Sequence, residues 1–216
     1  MINVDTELRN QLIKIAKEKI PDVDASHDFE HALRVLTNAQ NIVKGEGGDL
    51  DVIVPAALFH DLVVYQKNHP EKHKSQEESA EEAQKILNSL EGFPKQKIEE
   101  VKNCILECSF SKSIQPKTLE SKIIQDSDGL EATGAISIMR TFSSTGQMKR
   151  AFYNSNDPFC ENREVDALTF GLDLFFERLL MVADRMHTKT ARKIAERRTE
   201  FLKVFLEELK IELEGK

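Results

Sequence analysis

The chain has no tryptophan, and of its 216 residues only 9 are glycine and 6 are proline. So few breakers, beside many Leu, Ile, Glu and Lys, point to helix. No run of about 18 apolar residues is present, which argues against a membrane span. No CxxC occurs. The three cysteines are Cys104, Cys108 and Cys160. Cys104 and Cys108 are four apart and share a helix face. They read as half-buried core thiols rather than as a soft metal site or a thiol nucleophile. Positive charge is not in excess. The net charge is -7 and no basic arm is visible. That argues against a long nucleic acid as partner, while a small anion can still bind at a local cation. The stretch from Met1 to Ile15 carries Asp5, Glu7 and Arg9 and lacks an apolar h-region. No signal peptide is read there, and a reducing cytoplasm is the expected location.

What is present fits a soluble globular protein, with 40% hydrophobic and 31% charged residues. The length allows one large domain or two small ones. No internal repeat and no long linker is visible, so a single domain over 1–216 is expected. No segment alternates with period two, and the fold is read as all-α. Apolar periodicity and breakers predict helices over about Thr6–Lys19, Ser26 to the Gly45–Gly48 cluster, Val52–Tyr65, Ser75–Leu90, Lys95–Phe110, Leu119–Phe142, Val165–Met186 and Thr190–Leu213. Ser26 or Asp24 is the expected cap of the second helix. Gly129 and Gly134 lie inside the sixth, and 143–161 reads as loop. The last helix is read as a solvated face with Phe201, Val204 and Phe205 packed inward.

The third segment is apolar in every direction, so it belongs in the middle of the domain. Yet it contains His60 and Asp61 side by side. An unpaired carboxylate buried there costs several kcal/mol. A salt bridge, a hydrogen bond to a distant Arg or a divalent cation would compensate, and the cation would satisfy both residues together. On the second helix, Phe29, Ala32, Val35, Leu36, Ala39, Ile42 and Val43 form an apolar face at 100° per residue. His27, His31, Arg34 and Asn38 border it as a polar stripe. Two histidines four apart beside an Arg, in a chain with only 6 His, read as a pocket wall. The stripe offers a metal ligand and a cation for an anionic substrate. A further carboxylate is available in Asp126-Ser127-Asp128. The two aspartates point about 200° apart on a helix, so one ion cannot easily use both, and spacing does not choose between them.

The elements His31, then His60-Asp61, then a distant Asp resemble the H…HD…D pattern of the HD-domain metal-dependent phosphohydrolases. Ser26-His-Asp-Phe-Glu-His-Ala-Leu-Arg-Val35 is similar to the SHDxxHxxRV helix of one bacterial branch. Gln125-Asp-Ser-Asp-Gly-Leu130 is similar to its QDADRL. The segments 134–142 and 187–195 resemble that branch as well, so the likeness runs from about residue 20 to 212. It implies an all-helical, metal-binding core at about 22–135 with additional helices at about 165–213. It implies His31, His60, Asp61 and Asp128 as metal ligands, with Asp128 favoured over Asp126. The chain departs from the pattern at Gly129, where Arg is usual, at Glu131, where Asp is usual, and at Cys108, where His is frequent. His60-Asp61 is followed by Leu-Val-Val-Tyr instead of Ile-Gly-Asp-Tyr.

The resemblance implies hydrolysis of a small phosphate ester or anhydride, with a nucleoside mono- or triphosphate as the expected substrate. The ion, one of Mn, Mg, Co, Fe, Ni or Zn, would polarise a phosphoryl oxygen and activate water. Asp61 and His27 are the expected catalytic groups. His27, Arg34 and Lys67 are the expected groups that neutralise phosphate charge, with Lys122 and His73 as further candidates. His27 and Asp126 are candidates for holding a second ion. Two other readings compete. One is a non-catalytic nucleotide- or metal-binding regulatory protein. The other is a structural helical protein with an internal His60-Asp61 salt bridge. A homodimer is compatible with a helical protein of this size.

Overall fold

A computed structural model describes residues 6–21, 26–65, 69–109 and 114–216. Its helices are α1 (Thr6–Lys19), α2 (Phe29–Glu46), α3 (Leu50–Phe59), α4 (Ser75–Ser89), α5 (Ile98–Glu107), α6 (Leu119–Gly129), α7 (Gly134–Gln147), α8 (Asp173–Glu177) and α9 (Lys189–Leu213), joined in places by short 3₁₀ turns. Among the described residues the only β pairing is one isolated bridge, Ala151–Phe170. The fold is all-α. No helix of the described residues is long and apolar enough to cross a membrane. The contacts divide the chain into two compact units, 1–128 and 129–216.

In the first unit α3 packs against α1, α2, α4 and α5. Every residue from Val52 to Phe59 is buried, as a helix apolar on all sides requires. It ends at Phe59, six residues short of the expected Tyr65, so His60 and Asp61 stand in the turn after α3 and not inside it. The reason is local. His60 Nδ1 lies 2.8 Å from the carbonyl oxygen of Ala57. A continued helix would give that carbonyl the N–H of Asp61. Beyond the turn, Ser79 of α4 anchors the chain. Its hydroxyl accepts from the Val63 N–H at 3.0 Å and donates to the Val63 carbonyl at 3.4 Å.

The cap of α2 is Asp28, not Ser26. Its carboxylate accepts the N–H of His31 at 2.8 Å, while Ser26 is buried just ahead of it. Asp24 lies outside the described residues. The far end of α2 closes at Gly47, whose φ of 80° is left-handed and whose N–H returns to the Val43 carbonyl. The end of α4 is held by Lys95, whose ammonium donates to the carbonyls of Leu87, Asn88 and Leu90 at 2.7, 2.9 and 2.7 Å. A cation also suits the negative end of the helix dipole there. Because residues 95–97 form a 3₁₀ turn, α5 starts at Ile98 instead of Lys95, and it ends at Glu107. The amide of Gln125 on α6 donates to the carbonyls of Glu107 and Ile114 at 2.7 and 3.0 Å, which ties α6 to the end of α5.

The second unit corrects four expectations. The predicted helix over 119–142 breaks between α6 and α7. Thr133 is extended, and Gly134 has a φ of 67°, a conformation that glycine takes without steric cost. Helix α7 then runs through residues 143–147, which the sequence read as loop. The predicted helix over 165–186 is reduced to α8 and 3₁₀ turns. Its start does not continue as a helix, because the N–H groups of Gly171 and Leu172 donate to the carbonyls of Ala151 and Phe152 at 2.9 and 2.8 Å. A Cβ at Gly171 would meet Thr145 Oγ1 at 2.3 Å, so only glycine allows this approach. On α9, Leu202, Phe205, Leu206 and Leu209 pack with Leu172, Phe175 and Leu179. Phe201 and Val204 were expected to turn inward and are instead 48% and 59% exposed.

Candidate metal centre

Three elements of the first unit bring four side chains together. His31 comes from the first turn of α2, positioned by the Asp28 cap. His60 and Asp61 come from the turn that ends α3. Asp128 comes from the last turn of α6. The two imidazoles meet through their Nε2 atoms, 3.2 Å apart. Asp61 Oδ2 lies 3.6 Å from His31 Nε2 and 3.5 Å from His60 Nε2. Asp128 Oδ1 lies 3.5 Å from His31 Nε2. His31 and His60 are 0% and 4% exposed. The carboxylates, at 22% and 26%, keep one side toward solvent.

The protons in this cluster can be counted. A carbonyl oxygen only accepts, so Nδ1 of His60 carries the hydrogen in its bond to Ala57. In the neutral ring, Nε2 therefore presents a lone pair to the cluster. His31 Nε2 faces three acceptors, and one N–H can serve only one of them. The carboxylate separations of 3.5 and 3.6 Å are also longer than a good N–H···O bond. They suit a different arrangement. Atoms bound at about 2.0–2.2 Å to one ion stand about 3.0–3.5 Å from each other. Two imidazole nitrogens with two carboxylates are a donor set for a first-row divalent cation. Among the described residues, His31, His60 and Asp128 offer ligand atoms that all lie within 4.8 Å of one another.

The remaining expected residues fall into place unevenly. His27 stands beside the cluster, with its ring centroid 5.8 Å from that of His31 and edge to face. Arg34 follows His31 by one turn on α2 and is partly buried. Lys67 lies outside the described residues. Lys122 is partly buried on α6. His73 is exposed, and its Nδ1 donates to the Pro70 carbonyl at 3.0 Å, within its own 3₁₀ turn. Asp126 is fully buried two residues before Asp128. Cys108 follows α5 as a buried thiol, pushed well above its ordinary range by burial and then by the negative charge of Asp128 and Asp61. Tyr65, which closes the Leu-Val-Val-Tyr segment, donates to Glu78 at 2.7 Å. That bond raises its phenol.

Two contributors escaped the sequence. The carbonyl of Ala57 orients His60, and no side-chain pattern announces a backbone acceptor. Asn38 read as part of a pocket wall. It is 5% exposed and its amide donates to the Ser127 carbonyl at 3.2 Å.

Comparison with known proteins agrees with this geometry. The HD domain matches residues 28–133, a span that contains all four clustered side chains. YpgQ of Bacillus subtilis is 28% identical over 202 residues, covering 91% of this chain and 89% of that protein. Its crystal structure in complex with ADP superposes with a TM-score of 0.72 over 95% of both chains. The Lin1889 protein of Listeria innocua is 30% identical, with a TM-score of 0.71 over 95% of this chain and 97% of that one. An HD-superfamily hydrolase of Bacillus thuringiensis is 27% identical, with a TM-score of 0.71 over 97% and 98%. A shared fold over nearly the whole length, with the H…HD…D residues gathered in one place, makes this chain a member of the HD-domain family.

Proposed function

We propose that this protein is a metal-dependent phosphohydrolase acting on a nucleotide or another small phosphate ester or anhydride. The observation that carries the reading is the grouping of His31, His60 and Asp128, whose ligand atoms lie within 4.8 Å of one another, with Asp61 Oδ2 3.6 and 3.5 Å from the two imidazoles. Relatives described as HD-superfamily hydrolases support it. The ADP held by YpgQ supports a nucleotide as the substrate class.

In this reading the four side chains would hold one divalent cation, and a cation bound there would supply Lewis-acid polarisation of a phosphoryl oxygen and a lowered pKa for water. The protein's own groups do the rest. His60 keeps its lone pair on the site because Ala57 occupies its other nitrogen. Asp61 orients the attacking water and accepts its proton. His27, just ahead of α2 with its ring against that of His31, offsets phosphate charge and gives a proton to the leaving oxygen. Arg34 and Lys67 offset phosphate charge. Cys108 supplies no thiolate, since burial and two neighbouring carboxylates oppose it.

The test is a nucleotide panel with the full-length protein and added Mn²⁺. Release of phosphate or pyrophosphate from at least one member is expected, with loss of at least about a hundredfold in His60→Ala, the scale of losing a group that acts in the transition state. Full activity in His60→Ala overturns the assignment. Stabilisation by a nucleotide without turnover of any member favours the regulatory reading instead.

A further inference from the structure

We propose that Asn38 is a positioning residue for the metal centre. It fixes the end of α6, and with it the direction in which Asp128 leaves that helix, against the helix that carries His31. The inference rests on the reading of His31, His60, Asp61 and Asp128 as metal ligands.

Around Asn38, the inward residues of α2 are apolar. Val35, Leu36, Ala39 and Ile42 are at most 3% exposed, and Asn38 itself is 5% exposed. An amide placed there without a partner is costly. Its Nδ2 donates to the carbonyl of Ser127 at 3.2 Å. Ser127 directly precedes Asp128 in the last turn of α6, where carbonyls run out of helical N–H partners. The Ser127 hydroxyl turns back along the helix and donates to the Ile123 carbonyl at 2.5 Å. The donor for the Ser127 carbonyl therefore comes from α2.

The spacing on α2 matters as much as the bond. His31 and Asn38 are seven residues apart, about two turns and about 20° around the axis, so they share a face. One helix thus presents a ligand and, about 10 Å further along, the group that pins the backbone beside a second ligand. The separation of 3.5 Å between His31 Nε2 and Asp128 Oδ1 is then set by a direct tie between the two helices. Without the tie, packing alone would hold it. Groups that orient metal ligands in this way typically change metal affinity by about 10–100-fold when removed.

The experiment titrates metal-stripped, full-length protein with Mn²⁺ alone, by calorimetry or by the electron-spin resonance of the unbound ion. It compares the parent, Asn38→Ala, Asn38→Asp and Ile42→Val. Asn38→Asp keeps the shape of the side chain and has no N–H to donate. Ile42→Val lowers the stability of the same helix without touching the tie. Both Asn38 variants are expected to raise the Kd for Mn²⁺ about tenfold. Ile42→Val is expected to stay within twofold of the parent, even where its metal-free melting temperature falls as far. Parent-like Mn²⁺ affinity in a folded Asn38 variant overturns the positioning role and leaves the ligand assignment standing. A rise in Ile42→Val equal to that in the Asn38 variants, at equal loss of stability, also overturns it. Failure of the parent itself to bind Mn²⁺ overturns the ligand assignment, and the positioning role with it.

Discussion

The imidazole of His60 donates its Nδ1–H to the carbonyl oxygen of Ala57 at 2.8 Å, three residues back in the last turn of α3. The bond uses a carbonyl that the end of α3 leaves open and fixes the ring's tautomer in one step. It also explains why a helix of uninterrupted apolar residues ends where it does. His60 serves as the last structural group of α3 and as the first chemical group of the site.

Metal binding should appear as stability. Ligand that binds only the native state, at a hundred times its Kd, adds about 2.7 kcal/mol, which is a rise of several degrees in Tm for a protein of this size. Chelator-treated protein should gain that rise on addition of at least one of Mn²⁺, Mg²⁺, Co²⁺, Fe²⁺, Ni²⁺ or Zn²⁺. His31→Ala and Asp128→Ala should each remove it. Thermal melts of the three proteins decide the matter, and an unresponsive parent would favour an internal salt bridge.

Asp28 caps α2 by accepting the His31 N–H. Asp28→Ala should therefore cost about 1 kcal/mol. Asp28→Asn keeps an acceptor oxygen and should cost only a few tenths. Urea titrations of the two variants measure the difference. Equal losses would mean that the carboxylate contributes mainly by its charge at the helix N-terminus.

All three thiols should resist alkylation in the native state. Burial pushes Cys104 up to about 12 and Cys160 up to about 11, and it pushes Cys108 well above the ordinary range. At pH 8 the thiolate fraction of even Cys160 is then on the order of a hundredfold below that of an ordinary cysteine. Iodoacetamide followed by mass spectrometry should label the native protein slowly and the urea-unfolded protein at every cysteine.

In the second unit, Arg163 grips Asp173 with two guanidinium nitrogens at 2.6 and 2.7 Å, and Asp173 is fully buried. Burial alone pushes this carboxyl up. The guanidinium and the Asp166 N–H outweigh it and hold it below the usual range. A depressed carboxyl contributes stability that is present above the unfolded value of about 4 and is lost as pH falls through the folded one. Arg163→Ala should cost about 3 kcal/mol at pH 7 by stranding a buried charge. The gap to the parent should narrow as pH drops below about 4. Denaturation curves at several pH values test both the size and the sign.

Much of this was legible in advance because it depends on periodicity. The helices α1 and α4, the α3 core and the stripe of His27, His31 and Arg34 follow from apolar spacing. The choice of Asp128 over Asp126 did not follow from spacing. It came from resemblance, and Asp128 Oδ1 lies 3.5 Å from His31 Nε2. What sequence could not show depends on partners distant in the chain. Residues 165–186 have helical periodicity, yet Gly171 and Leu172 spend their N–H groups on the carbonyls of Ala151 and Phe152, and Gly171 must pass close to Thr145. Phe201 and Val204 satisfy an amphipathic pattern while the core selects the neighbouring face of α9. Composition offers Ser26 or Asp24 as the cap of α2, whereas the path of the chain into the helix gives that role to Asp28.

The length of α3 has a consequence of its own. Between Asp49, whose carboxylate caps α3 by accepting the Asp51 N–H at 2.9 Å, and His60 the helix works as a ruler of fixed count. Each residue added or removed would shift the pair by about 1.5 Å along the axis and swing it about 100° around it. No side-chain rearrangement could recover a swing of that size, because the helix is buried from Val52 to Phe59 and cannot slide. Substitutions within 50–59 that preserve volume should therefore be tolerated, whereas a single-residue deletion there should abolish the site while leaving every ligand present in the chain.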